Sequence, residues 1–257
     1  MTPLVVTIGA TDPWNAAGVG LDVRALAACG ARALTVVAGV TAQDRSGVHA
    51  AVPIEATMIV AQFAALASAE IAAVRIGALL SPASVHAVVD WLRARRAAGG
   101  ALPVVCDPVF APSGGGAFAS EATIEAIAVH LLPYVSLVTP NLDEVARLTH
   151  APVPATSAAM AAAGRTLQAS GVEAVLVTGG HLAGEPLDVL VTDQDVRSFS
   201  APRLPGSLRG TGCLLACGIA AALARGEGLV AAIESGRAFV RDRFAHAQTL
   251  ASMRVAY

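Results

Sequence analysis

Gly210-Thr211-Gly212-Cys213 closes a polar segment containing Gly and Pro, Pro202 to Arg209, and opens an apolar, Ala-rich run from Leu214 to Leu223. Two glycines let a backbone turn tightly and approach a ligand closely. The first turn of the helix that follows leaves N–H groups unpaired and carries partial positive charge. Together these features make an anion site, with phosphate the foremost candidate. The same dipole is expected to stabilise a thiolate on Cys213, which would suit it to act as a base or a nucleophile.

Other chemistry-bearing residues follow short apolar runs that read as strands. Gly9, Thr11, Asp12 and Asn15 come after the first, with Asp22 in the next helix. Gln43 and Asp44 come after the second, Asp107 after a third, and Asn141 and Glu144 after a fourth. Thr178-Gly179-Gly180-His181 follows a fifth. Carboxylates facing an anion site need a cation between them. Mg²⁺ binds through one or two carboxylates plus phosphate oxygens and water, so Asp107 and Glu144 suggest magnesium and a nucleotide. The competing reading is structural, because Asn141 three residues before Glu144 fits a capping box. Gln43 can read the edge of a heterocycle through its donor and acceptor, or be an ordinary loop amide. Asp22 could simply be solvated on its helix, and His181 could touch a ligand. Trp14 could stack on a flat substrate or pack against a subunit.

The chain has 257 residues, of which 55% are apolar and only 4% aromatic, so its core must be built mainly from Ala, Val and Leu. That composition suits parallel strands covered by Ala-rich helices. A net charge of −2 gives no basic footprint for nucleic acid. No apolar run reaches the ~18 residues expected of a membrane span. The N-terminus has no basic residue before its short apolar stretch, so a signal peptide is not expected and a cytoplasmic location is. All 17 basic residues are arginine. A Walker A loop and a Schiff-base lysine are therefore excluded. Cys29, Cys106 and Cys217 read as small core residues.

Strands are expected over residues 4–8, 33–40, 73–76, 102–106, 135–138 and 174–177, with a short one at 49–53. Helices are expected over 18–29, 56–67, 81–98, 124–132, 142–149 and 157–170. Residues 187–192 and 196–199 suggest a hairpin, and two C-terminal helices are expected at 212–224 and 229–250, the second with a break near Gly236. The helix over 81–98 has Ser81 as cap, Pro82 in its first turn and Gly99-Gly100 at its end. Strands alternating with helices of this length imply one α/β domain over residues 1–257 with a mostly parallel sheet. Ligands in such sheets bind beyond the carboxyl ends of the strands.

The order of these segments resembles the hydroxymethylpyrimidine and phosphomethylpyrimidine kinases of thiamine biosynthesis. The carrying segments are Thr7-Ile8-Gly9-Ala10-Thr11-Asp12-Pro13, Ala17-Gly18 with Asp22, Val40-Thr41-Ala42-Gln43-Asp44 and Arg75-Ile76-Gly77. They continue with Asp107-Pro108-Val109, Thr139-Pro140-Asn141-Leu142-Asp143-Glu144, Thr178-Gly179-Gly180-His181 and Gly210-Thr211-Gly212-Cys213. The resemblance runs over nearly the whole chain. It implies a three-layer α/β/α ribokinase-like fold and ATP-dependent phosphorylation of a pyrimidine hydroxymethyl group. It further implies that Cys213 is the catalytic base and that the N–H groups of Gly210 to Cys213 form an anion hole. Asp107, Asn141 and Glu144 would serve the phosphates and Mg²⁺, with Asp107 and Glu144 on the metal. Gly9, Asp22, Gln43 and Val109 would hold the pyrimidine, and Thr178 and Gly180 would lie on the nucleotide side. A homodimer is also implied.

The chain departs from that pattern in several places. Asn15-Ala16-Ala17-Gly18 replaces a Gly-Gly-Ala-Gly run, Thr178 replaces a lysine, and a second lysine is lost near Pro112. Arg209 stands where relatives usually have histidine, and it is expected to restore part of the phosphate-facing charge. A pyridoxal kinase and a non-catalytic pyrimidine-binding protein are the alternative readings.

Overall fold

Val5 and Thr7 point to one face of the first strand and Val6 and Ile8 to the other, and all four are completely buried. A strand covered on both faces belongs in the middle of a helix-clad sheet. The computed structural model describes residues 1–99, 102–111, 118–180, 182, 184–250 and 253–256. The readings at Gly100, Pro112 and His181 lie outside them.

The elements run β1 (Leu4–Ala10), α1 (Gly18–Ala28), β2 (Arg32–Asp44), β3 (Gly47–Pro53), α2 (Ala56–Ala65), β4 (Ile71–Ile76) and α3 (Pro82–Ala97). They continue with β5 (Val104–Cys106), α4 (Glu121–Ala126), β6 (Leu137–Val138), α5 (Leu142–Thr149), α6 (Ser157–Gln168) and β7 (Ala174–Gly179). The last are β8 (Leu187–Thr192), β9 (Val196–Ser200), α7 (Thr211–Ala224), α8 (Leu229–Ala245), β10 (Gln248–Leu250) and β11 (Met253–Val255). One nine-stranded sheet has the order β3-β2-β1-β4-β5-β6-β7-β8-β9. Its central strands β2, β1, β4, β5, β6 and β7 are parallel, and β3, β8 and β9 are added antiparallel at the two edges.

Helices cover both faces. Residues of α1, α7 and α8 pack with Val5, Ala73, Val105 and Leu176 on one side. Residues of α2, α3, α5 and α6 pack with Val6, Ile8, Val74 and Val177 on the other. The expected three-layer α/β/α architecture is what is observed.

Three local expectations need correction. β2 continues past Val40 to Asp44, because beyond its last pairing with β1 at Gly39 it goes on pairing with the edge strand β3 as a two-stranded flap. Helix α8 runs unbroken through Gly236. A Cβ on Gly236 would lie 2.7 Å from Ile219 Cγ1, and one on Gly218 would lie 2.8 Å from the Gly236 Cα. The glycine therefore lets α7 and α8 touch backbone to backbone rather than breaking the helix. Finally, α8 ends at Ala245, and residues 248–250 pair antiparallel with residues 253–255 instead of extending it.

Candidate active site

The carboxyl ends of β1, β4, β5, β6 and β7 and the start of α7 surround a cavity of about 490 Å³. Gly210 caps α7 with φ at +80°, in the left-handed region. A side chain there would meet the Ala16 carbonyl at 2.3 Å and Leu21 Cδ2 at 2.6 Å. Only glycine brings the loop into that corner and turns the first N–H groups of α7 toward the cavity. Gly210, Thr211, Gly212 and Cys213 all line it.

Beneath this helix end lies a buried charge cluster. Arg75, 1% exposed, donates from Nη1 to Asp22 Oδ2 and from Nη2 to Asp107 Oδ2, each at 2.8 Å. Asp22 Oδ2 also accepts the Thr7 hydroxyl at 2.6 Å, and its Oδ1 accepts the Cys217 thiol at 3.4 Å. Burial alone would weaken the hold of Arg75 on its proton, but Asp22, with Cys213, Cys217 and Asp107, keeps the guanidinium charged well above the usual arginine range. Arg75 Nε is the one buried side-chain polar atom without a partner among the described residues.

Asp107 is raised above the usual carboxylate range by burial and by Asp22, against the lowering by Arg75. Glu144 is pushed up to about 8, chiefly by burial and then by the neighbouring Asp107 charge. The capping-box reading of α5 is correct: Asn141 Oδ1 accepts the Glu144 N–H at 2.9 Å, and Glu144 Oε2 accepts the Asn141 N–H at 2.8 Å. Both residues nonetheless line the cavity, so the cap presents a carboxylate to it.

Asp107 and Glu144 fit a hard cation that keeps other ligands. They are two buried carboxylates on one cavity, the charge of one raising the other. Among the described residues no group of three or more His, Cys, Asp or Glu converges into a cage. That is the donor set of a magnesium ion completed by water and phosphate oxygens.

The thiolate expectation for Cys213 is not met in this state. Burial pushes its thiol up to about 12, outweighing Arg75 and the Gly18 N–H, which act in the opposite direction. A helix N-terminus lowers a thiol pKa only when desolvation does not exceed it.

Gln43, Val109, Asn141, Thr178, Gly180 and Arg209 line the same cavity. Gly9 and Asp22 do not. A Cβ on Gly9 would make ordinary contacts at 3.7–3.8 Å with Gly77, Ala78 and Val19, and the Asp22 carboxylate is consumed by Arg75, Thr7 and Cys217 one layer below. Arg209 differs from expectation too. Its Nη2 donates to Gln43 Oε1, its Nη1 donates to the Asp44 carbonyl at 2.7 Å, and its Nε lies 3.9 Å from Asp12 Oδ2. The guanidinium is thus turned to the β2 flap rather than left free for phosphate. Trp14 packs with Ala16, Met253 and Val255 at the C-terminal hairpin.

Several charged residues that line the cavity carry no local sequence signal for it. Arg75 is the exception, a lone charge inside the apolar strand Ile71–Ile76, and that is the signal that marks it. Arg203, Arg237 and Arg241 also line the cavity. Arg203 donates to the carbonyls of Gly180, Leu182 and Gly184 at 2.6–2.9 Å, and Arg237 pairs with Asp188. These come from loops and from α8, where only the fold brings them to the site.

Residues 12–255 match the family model described as phosphomethylpyrimidine kinase. The chain is 36% identical over 248 residues to the hydroxymethylpyrimidine/phosphomethylpyrimidine kinase of Salmonella typhimurium, covering 95% of this chain and 92% of that protein. It is similar in structure to phosphomethylpyrimidine kinase from Clostridium difficile 630, with a TM-score of 0.81 and 25% identity over 94% of this chain and 99% of that one. An ADP complex of Bacillus subtilis pyridoxal kinase superposes with a TM-score of 0.90, covering 100% of this chain and 97% of that chain. At 23% identity, that likeness is one of fold.

Proposed function

The chain belongs to the phosphomethylpyrimidine kinase family, and from that membership we propose that it transfers a phosphoryl group from ATP to 4-amino-5-hydroxymethyl-2-methylpyrimidine, its monophosphate, or both, in thiamine biosynthesis. The observation that carries the reading is the Gly210–Cys213 helix start facing a cavity that also holds Asp107 and Glu144. Phosphoryl transfer asks a protein for positioning and for charge stabilisation more than for covalent chemistry. N–H groups at the start of α7 would take up the charge of the transferring group, and Arg75 lies beneath them as a fixed cation.

Cys213 would accept the proton of the attacking hydroxyl. The thiol is its resting form, so its own proton must first pass to solvent, and Arg75 and the Gly18 N–H are the groups that favour the thiolate the step requires. Asp107 and Glu144 would hold Mg²⁺, which when bound neutralises phosphate charge and screens the two carboxylates from each other. Asn141 fixes Glu144 through the cap. Thr178 and Gly180 would line the nucleotide side, with Arg203 holding the carbonyls of Gly180, Leu182 and Gly184. Gln43 and Val109 would face the pyrimidine, while Gly9 and Asp22 would shape that side from behind. We also read the chain as one domain that acts as a cytoplasmic homodimer. No described helix is long and apolar enough to cross a membrane, and Val40 and Val52 are exposed on the flap.

The test is ADP formation from Mg-ATP with the aminopyrimidine alcohol, run beside pyridoxal at equal concentration. Cys213→Ala and Asp107→Ala should each lower kcat by about 10²-fold or more. Normal turnover in both variants would remove the assigned roles, and faster turnover of pyridoxal would change the substrate.

A further inference from the structure

We propose that Arg209 is a positioning residue that fixes which edge of the Gln43 amide faces the substrate, and so sets the hydrogen-bonding pattern the heterocycle must offer. The inference rests on the pyrimidine kinase reading above.

An amide can present either its oxygen or its NH₂ group, and the choice is made by its neighbours. Arg209 settles it for Gln43. A guanidinium has five N–H donors and no acceptor, so the amide oxygen must face it. That is the observed arrangement, with Arg209 Nη2 donating to Gln43 Oε1.

The arginine is itself held on three sides. Its Nη1 donates to the Asp44 carbonyl at 2.7 Å and approaches Met253 Sδ at 3.7 Å. Its Nε faces Asp12 Oδ2 at 3.9 Å. Asp12 is 2% exposed and is fixed in turn by the N–H groups of Trp14 and Ala16, each at 3.1 Å. Swinging Arg209 toward phosphates would break all of these contacts, so its charge is spent on the flap.

The consequence falls on the other end of the amide. Gln43 lines the cavity, and its Nε2 has no hydrogen-bond partner among the described residues and is not sealed from solvent. The group offered to a substrate is therefore a donor pair. An aminopyrimidine presents ring nitrogens, which accept, and an exocyclic amino group, which donates. With Gln43 locked in this orientation, a ring nitrogen and not the amino group meets Nε2. A heterocycle lacking an acceptor there covers the NH₂ without pairing it, which is costly.

The experiment compares the pyrimidine alcohol with the two pyridine analogues in which one ring nitrogen is replaced by C–H. In the unmodified protein one analogue should lose roughly 10- to 100-fold in kcat/KM, the range of a lost hydrogen bond that leaves its donor unpaired. Arg209→Met frees the amide to turn. It should raise KM for the pyrimidine, leave KM for ATP unchanged and shrink the discrimination to within about threefold. Gln43→Glu keeps the partner of Arg209 but has no donor, and should also abolish the discrimination. Unchanged discrimination in both variants overturns the proposal, as does an Arg209→Met effect confined to KM for ATP. Calorimetry of the same ligands reads the discrimination without turnover. A protein that binds the pyrimidine but never forms ADP would thus refute the kinase reading while still deciding this one.

Discussion

Arg75 Nη2 donates to Asp107 Oδ2 at 2.8 Å, so a carboxylate lining the large cavity is anchored by a cation that is itself 1% exposed. The other Nη of that guanidinium holds Asp22, which ties β4 and β5 of the sheet to helix α1. Gly77 leaves room for the arrangement, since a Cβ there would lie 2.2 Å from Arg75 Nη1. Removing one partner of such a cluster strands the others without a counter-charge. Arg75→Met should therefore destabilise the protein by about 3–5 kcal/mol, measured by urea unfolding at neutral pH. Gly77→Ala should cost about 1–3 kcal/mol by crowding the same side chain, whereas Gly9→Ala, whose Cβ meets nothing nearer than 3.7 Å, should cost less. A loss under about 1 kcal/mol in Arg75→Met would mean that the pair does not stabilise the fold.

The start of α7 depends on Gly210 twice, for its positive φ and for the space beside the Ala16 carbonyl. Gly210→Ala must move the loop, and with it the N–H groups facing the cavity. A shift of about 1 Å at a reacting centre costs roughly 10²-fold in rate. The expected result is a fall in kcat of that size with the thermal midpoint lowered only modestly. Gly180→Ala is the contrasting variant, because a Cβ there meets nothing within 4 Å. Equal activity in the two variants would show that the loop geometry does not matter to turnover.

The cysteines make a prediction that needs no substrate. Burial pushes the Cys213 thiol up to about 12 and the Cys29 thiol up to about 11, and it raises Cys106 and Cys217 well above the usual thiol range. Thiolate, not thiol, reacts with disulfide reagents. The native protein at pH 8 should therefore titrate slowly at all four cysteines, and all four should react promptly in guanidinium. A fast-reacting native cysteine identified by mass spectrometry as Cys213 would show that the helix dipole outweighs burial and that the residue rests as a thiolate.

The alternation of short apolar runs with helical segments makes the doubly covered sheet legible from sequence, because the runs that form β1, β4, β5, β6 and β7 are buried on both faces. The Gly210–Cys213 loop and the Asn141–Glu144 cap are also legible, since both are local signals of adjacent residues. Other features depend on contacts that no local pattern encodes. Arg209 reads as phosphate-facing until the flap brings Gln43 and Asp44 against it, 166 and 165 residues away in sequence. Gly236 reads as a helix break because its reason for being glycine is Gly218 on another helix. The dipole alone argues for a Cys213 thiolate, and desolvation, which decides the sign, is a property of the packed core.

Glu144 gives stability a pH dependence opposite to that of an ordinary paired carboxylate. Its proton is held up to about pH 8 in the folded protein against the usual 4.5, because burial and the Asp107 charge both disfavour the anion. Below the lower value both folded and unfolded states are protonated, so the residue has no effect. Between about 4.5 and about 8 the unfolded chain has released its proton while the folded chain retains it. Stability must then fall as pH rises through that window, by at most about 1.4 kcal/mol per pH unit. Glu144→Gln preserves the capping box, since glutamine can accept the Asn141 N–H in the same way, and it removes the titration. In EDTA the urea midpoints of the two proteins should coincide near pH 4 and separate toward pH 8, with the variant the more stable. Magnesium should then raise the midpoint of the unsubstituted protein at pH 8 more than that of the variant, because only the former offers a carboxylate at residue 144. Parallel midpoints across the whole range would show that Glu144 titrates normally, and an equal magnesium effect on both would remove it from the cation site.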